Sequence, residues 1–267
     1  MADDGGFARF DDRTIAYRDE GPRTGPPLVL SNSLGTDLRM WEHQAPVLAR
    51  TWRVIRYDTR GHGRSSVPSG AYTMGELATD VIELLDHLDI ARAHFCGLSL
   101  GGMTGLALAV DHADRLSSLA VCSATARIGT RDGWTDRMNA IRRVGMSAVA
   151  QSLGERWFTE SFRTSHPDEV RTYAERMLTT SVDGYLGCCA ALRDADLTGG
   201  VPSISTRTAF IAATFDPFVS TADIQSLARR VPGAVYHEIT ASHLSNVEAP
   251  TTFIDRLARF LRGDDAG

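Results

Sequence analysis

The chain predicts an α/β protein: a mostly parallel central sheet flanked by helices, with a helical lid inserted after the sixth strand. Three observations carry this. Short, continuous apolar runs alternate with stretches of helical spacing, the pattern of strands covered on both faces and joined by right-handed crossovers. One such run, 93–96, feeds a glycine-crowded turn, Gly97-Leu98-Ser99-Leu100-Gly101-Gly102, and then an Ala/Leu-rich helix expected to reach Ala113. From about 126 to 200 no buried strand appears, and the strand pattern resumes only at 208.

In chain order, 7–10 and 14–18 alternate around Asp11-Asp12-Arg13 and read as an edge hairpin. Residues 28–30 are a buried strand, followed by the loop Ser31-Asn32-Ser33-Leu34-Gly35-Thr36 and a helix expected over 40–50. A second buried strand, 53–57, ends in the polar loop Asp58-Thr59-Arg60-Gly61-His62-Gly63-Arg64-Ser65. Residues 74–88 have helical spacing, 93–96 and 116–122 are strands, and helices are expected at 136–151, 168–179 and 184–192. Strand 208–213, helix 222–230, strand 234–239 and an amphipathic helix over 251–262 complete the pattern, with fraying expected over 263–267. The organisation expected is a core in two parts, 1–125 and 201–267, with 126–200 as a helical lid.

Composition excludes some roles. At 267 residues the chain can bury one large core, and a net charge of −5 argues against general binding to nucleic acid or membrane surfaces. The chain has no lysine, so beside its eight histidines every basic residue is arginine. Any anion site must therefore use guanidinium groups or backbone N–H donors. No apolar run is long enough to span a bilayer, and the acidic start Met-Ala-Asp-Asp-Gly-Gly does not read as a signal sequence. The four cysteines, at 96, 122, 188 and 189, have neither disulfide nor zinc spacing, so a reducing cytoplasm is expected.

The stretch 97–101 is G-x-S-x-G between a buried strand and a helix, a nucleophile elbow. Glycine is needed two residues either side of the serine because the turn is strained and the neighbouring backbone comes close. The Leu100 N–H is then placed to face an oxyanion. A serine hydroxyl is a weak nucleophile and needs a base, and the base needs an orienting group. In an open α/β sheet these lie just beyond the C-terminal strand ends. Asp216 follows strand 208–213 and His243 follows strand 234–239, giving the order Ser99, Asp216, His243. His62 competes as the base from its own post-strand loop, although a structural role is expected for it. Asp194, Asp196 and Asp223 compete as the acid, with Asp223 read as a helix N-cap. The second oxyanion donor is expected from the loop after strand 28–30, at the N–H of Leu34.

With these residues assembled, the chain resembles the α/β-hydrolase superfamily, and within it the 3-oxoadipate enol-lactonases. Leu30 to Thr36 (L-S-N-S-L-G-T), Arg56 to Gly63, Phe95 to Gly102, Ala126 to Thr130 and Ala241 to Glu248 carry the resemblance. Asn32 stands where relatives commonly have histidine, and Ala213-Thr214-Phe215-Asp216-Pro217-Phe218 departs from the usual Gly-x-x-Asp-x-x-x-Pro. The resemblance implies a Ser-His-Asp hydrolase that opens a five-membered enol-lactone bearing a free carboxylate, with neither metal nor organic cofactor. Five arginines against two aspartates lie within 127–143, and Arg127 and Arg137 are the expected carboxylate ligands, with Trp134 as a pocket wall. A general carboxylesterase, a cofactor-free perhydrolase, a carbon–carbon bond hydrolase and a ligand receptor could all keep the same triad. The oligomeric state is left open.

Overall fold

The computed structural model describes residues 5–264. Met1–Asp4 of the acidic start and Asp265–Gly267 of the expected frayed end lie outside the described residues. Strands β1 (Gly5–Arg9) and β2 (Thr14–Glu20) form the edge hairpin, and β3 (Pro27–Ser31) follows. The helix expected over 40–50 is instead a 3-10 turn, Leu38–Trp41, and a single turn α1 (Ala45–Leu48). Pro46 sits in that first turn, where its missing N–H costs nothing, but a helix running through it from 40 would lose a hydrogen bond and clash.

Strand β4 (Arg53–Tyr57) leads to α2 (Met74–His87), which starts with a capping box between Thr73 and Glu76. Then come β5 (Ala93–Leu98), α3 (Leu100–Asp111) and β6 (Leu116–Cys122). Among the described residues, six helices separate β6 from the next strand: α4 (Arg131–Val144), α5 (Ser147–Ala150), α6 (Leu153–Trp157), α7 (Glu160–Ser165), α8 (Pro167–Leu178) and α9 (Val182–Asp194). The helix expected over 136–151 begins earlier, at Arg131 under a Thr130 cap, and stops at Gly145, whose φ of 72° no helix interior adopts. The chain ends with β7 (Thr208–Ala213), α10 (Thr221–Ala228), β8 (Val235–Ile239), α11 (Ser245–Glu248) and α12 (Pro250–Arg262), the last stopped by left-handed Gly263.

The described strands form one sheet in the order β1-β2-β4-β3-β5-β6-β7-β8. From β4 to β8 all pairings are parallel, and only β1 and β2 run against their neighbours. Every residue of β7 is buried, as the continuous apolar runs require of strands covered on both faces. Helix α3 is buried from Leu100 to Ala109 and packs on β5 and β6. Fully burying each leucine or phenylalanine there stabilises the fold by about 1.5–3 kcal/mol.

A buried ion pair ties the loop after β4 to α2. Arg60 donates to both oxygens of Asp80, at 2.6 and 2.7 Å, and Arg13 donates to Asp80 from β2's turn. Such pairs hold a loop in one register, because a lone buried Asp80 would be far costlier than the satisfied one. Gly61 of that loop has φ +78°, and a Cβ there would run into the backbone of Gly184 in α9. The close approach seats α9 on the loop that follows β4.

Candidate active site

Ser99 occupies the turn between β5 and α3 with φ 58° and ψ −113°, one of few non-glycine residues at positive φ among the described residues. Such a conformation costs about 1–3 kcal/mol and persists only where the surroundings impose it. They do so here. The Ser99 N–H bonds to the Cys122 carbonyl at 2.8 Å, and the Gly101 N–H to the Asn32 carbonyl at 3.0 Å. A Cβ on Gly97 would meet the Gly101 carbonyl, and one on Gly101 would meet the Ser31 backbone. Leu100 is the first residue of α3, so its N–H has no intrahelical acceptor.

His243 and Asp216 are joined. His243 Nδ1 lies 2.8 Å from Asp216 Oδ2, with side chains 4% and 0% exposed. A carboxylate only accepts, so Nδ1 carries a proton, and in the neutral imidazole that leaves the lone pair on Nε2. The other oxygen, Asp216 Oδ1, accepts the N–H groups of Phe218 at 2.8 Å and Val219 at 3.3 Å. The Phe218 ring stands edge-on to His243, with centroids 4.6 Å apart. The His243 loop is pinned by Glu248, which accepts the Ser242 N–H at 2.9 Å and also takes the N–H and hydroxyl of Thr159 at the head of α7.

The loop carrying Leu34 is held from several sides. Asn32 Nδ2 donates to the Tyr57 carbonyl at 2.7 Å, and Trp41 Nε1 donates to Asn32 Oδ1 at 3.0 Å. The Gly35 N–H donates to His62 Nε2 at 3.0 Å, and the Leu38 N–H to Asp58 Oδ1 at 2.7 Å. Among the described residues no acceptor takes the Leu34 N–H. His62 is thus an acceptor within the scaffold, and burial pushes its pKa down to about 4, keeping it neutral. The rival acids are committed elsewhere too. Asp194 pairs with Arg193 and Arg131, and Asp196 binds the Thr198 N–H. Asp223 is not the N-cap expected of it: Ser220 caps α10, and Asp223 accepts from the Ser220 hydroxyl at 2.6 Å.

Ser99, His243, Ser33 and Leu34 floor a cavity of about 30 Å³. Trp134, Arg137 and Trp157 from the α4–α9 segment close it, with Ile128, Leu192 and Phe218. Trp134 is fixed by its indole N–H, which donates to the Ile128 carbonyl at 2.6 Å. Arg137 donates to the Tyr185 hydroxyl and lies 5.4 Å from the Trp134 ring centroid, and its buried Nε has no acceptor among the described residues. The structure places Arg127 elsewhere, bordering a neighbouring depression 3.8 Å from Asp196. Sequence reasoning missed Phe218 and Arg156. Arg156, on α6, lays its guanidinium 4.4 Å from the Phe218 ring centroid. The only signal for it was its positive charge in a stretch with no readable periodicity.

The four cysteines are buried and free, with Cys96 and Cys122 Sγ 3.8 Å apart on neighbouring strands. Among the described residues, no helix is long and apolar enough to cross a membrane.

The chain has recognisable relatives. The chain is 40% identical over 242 residues to 3-oxoadipate enol-lactonase 2 of Acinetobacter baylyi, covering 91% of each chain. It is 37% identical to enol-lactonase 1 of the same organism, covering 94% of each. The crystal structure of the enol-lactonase from Burkholderia xenovorans superposes with a TM-score of 0.94 at 42% identity, covering 96% of this chain and all of that one. The family model of the alpha/beta hydrolase fold matches residues 26–250. A serine on a strained elbow, a buried His–Asp pair after the last two strands and these likenesses lead to one conclusion: the chain belongs to the α/β-hydrolase family.

Proposed function

We propose that this protein is an enol-lactone hydrolase that opens the enol-lactone of 3-oxoadipate to 3-oxoadipate in the catabolism of aromatic compounds. One observation carries the reading. A cavity lined by both Ser99 and His243 is also lined by an arginine, Arg137, whose only polar partner among the described residues is a neutral hydroxyl. That charge suits a small ester bearing a carboxylate, and the similarity to enol-lactonases supports the same substrate.

In the mechanism, Ser99 Oγ attacks the lactone carbonyl carbon while His243 Nε2 takes its proton. Asp216 steadies the imidazolium that forms. The N–H groups of Leu34 and Leu100 hold the oxyanion, each contributing about 3 kcal/mol to the transition state. Collapse breaks the ring C–O bond. The leaving group is an enolate, which takes the proton from His243 and ketonises. Water then attacks the acyl ester, giving its proton to His243, and the product leaves as a dicarboxylate with Ser99 restored. None of these steps calls on a metal or organic cofactor.

Residues 126–200 act in this reading as a lid over a core built from 1–125 and 201–267. A cavity of about 30 Å³ holds little more than a water or two, so a six-carbon lactone reaches Ser99 only when the roof opens. A cytoplasmic location is part of the same proposal. The test is loss of the lactone's ultraviolet absorbance with the purified protein and its Ser99→Ala variant, beside a neutral aryl ester. A kcat/KM of about 10⁵ M⁻¹s⁻¹ or more on the lactone, far above the ester and abolished by the substitution, is the expected result. Efficient turnover of the aryl ester with the lactone barely touched would reject the substrate.

A further inference from the structure

The two fully buried arginines, and two largely buried ones, face carboxylates. Arg56 pairs with Glu20, Arg60 with Asp80, and the largely buried Arg13 and Arg53 with Asp80 and Asp19. Arg137, half-buried in the wall of the Ser99 cavity, and Arg156, exposed and stacked on the cavity residue Phe218, do not do so among the described residues. Arg137 has a neutral partner, the Tyr185 hydroxyl, whose pKa burial pushes up, and its Nε bonds to nothing among the described residues. Arg156 has no hydrogen-bond or ion-pair partner among the described residues and rests on the face of Phe218. Four carboxylates of the surrounding segments are already engaged: Glu155 with Arg163, Glu248 with Ser242 and Thr159, Asp216 with His243, and Asp194 with Arg193 and Arg131.

The two guanidinium groups also feel each other. Burial, and after it the positive charge of Arg137, hold the Arg156 pKa below its usual value. Two like charges near one another, neither paired with a carboxylate side chain among the described residues, are destabilising until an anion arrives. Both are held by aromatic faces: Arg156 by Phe218, and Arg137 by Trp134 and Tyr185 at 5.4 and 5.5 Å. A cation held by its face keeps its N–H edge available to donate.

We propose that Arg156 joins Arg137 in a two-guanidinium receptor for a carboxylate on the ligand, and that Arg156 determines specificity for acidic over neutral esters. This rests on the enol-lactonase reading for its substrate, but not for its ligand chemistry. Arg156 is an exposed residue and meets the anion first; Arg137 receives it inside. The carboxylate binds at the roof, and the ester carbonyl is left over Ser99. Anion binding relieves the repulsion between the two arginines, so it also stabilises the folded chain.

The experiment compares the intact protein with Arg156→Gln, Arg156→Lys and Arg156→Met, the last keeping an apolar stem over Phe218. Three quantities are read: kcat/KM on the enol-lactone, kcat/KM on a neutral aryl ester, and calorimetric affinity for adipate with the accompanying shift in melting temperature. The expected result for Gln and Met is a loss of about tenfold or more on the lactone, mostly in KM, and a matching loss of adipate affinity. The aryl ester changes less than about twofold, and Lys retains part of the effect. Lactone kinetics and adipate affinity unchanged in the Gln and Met variants would overturn the proposal while leaving the enol-lactonase reading intact. If the unaltered protein does not hydrolyse the lactone, that reading fails, and adipate decides for Arg156. Binding that the substitutions weaken supports the receptor, and no binding to the unaltered protein overturns it.

Discussion

Asp216 holds His243 with one carboxylate oxygen and the backbone of Phe218 and Val219 with the other. The histidine's tautomer and the wall beside its ring are therefore set by a single side chain. Asp216→Asn keeps the shape but presents an amide that stabilises the wrong tautomer. It is expected to lower kcat by about 10³-fold or more while adipate affinity stays near that of the unaltered protein. Steady-state kinetics beside calorimetry checks this, and a proportional loss of affinity would place Asp216 in binding.

Asp58 and His62 flank the loop that carries Leu34, and burial moves them in opposite senses. Burial raises the Asp58 pKa from 3.8 to about 6, so the folded chain holds a proton there that the unfolded chain has lost. Its contribution to stability is full below about pH 4 and is lost as pH rises through about 6. His62 is depressed from 6.5 to about 4, so its contribution is present above pH 6.5 and is lost as pH falls through about 4. Melting temperatures from about pH 4 to about pH 7.5 should show the advantage over Asp58→Asn shrinking as pH rises. The advantage over His62→Gln should shrink as pH falls. Parallel slopes for the two variants would contradict the assignment.

Asn32 stands where the resemblance leads one to expect histidine, and its amide joins the Tyr57 carbonyl to the Trp41 indole. Asn32→Ala leaves both buried groups without partners. The expected cost is about 2–4 kcal/mol of stability, with a fall in kcat larger than the rise in KM as the Leu34 loop loosens. Denaturant melts and kinetics check the two effects separately.

Gly101 lies against the Ser31 backbone, and no flexible side chain can yield there. Gly101→Ala is expected to destabilise by about 1–3 kcal/mol and to remove most activity by shifting the elbow. Gly75→Ala, where an added Cβ meets nothing closer than 3.9 Å, serves as the control and should leave both near normal.

The sheet was legible because each buried strand is an uninterrupted apolar run, and a strand end is a place where chemistry-bearing side chains collect. That reasoning reaches Ser99, Asp216 and His243 without a structure, and the structure brings Asp216 and His243 into contact. The segment between β6 and β7 resisted it. Its short helices α5, α6 and α7 span too few residues to show a period, and only α7 starts under a side-chain cap, Thr159. Which arginine faces the cavity depends on how those helices fold over the sheet. Arg127 and Arg137 have equal claims in the sequence, but only Arg137 lines the cavity, and Arg156 is revealed only by its stacking on Phe218. Pro46 was the readable sign that 40–50 could not be one helix.

The most direct test of the central claim is to find the acyl group on Ser99. The protein would be quenched in acid during turnover of the enol-lactone, cut with trypsin, and the peptide Ala93–Arg115 weighed. Ring opening on serine adds the whole lactone, so the account predicts a peptide heavier by one lactone, with the addition on Ser99 and absent from Ser99→Ala. Steady turnover with that peptide unmodified, or with the addition at another residue, would contradict it.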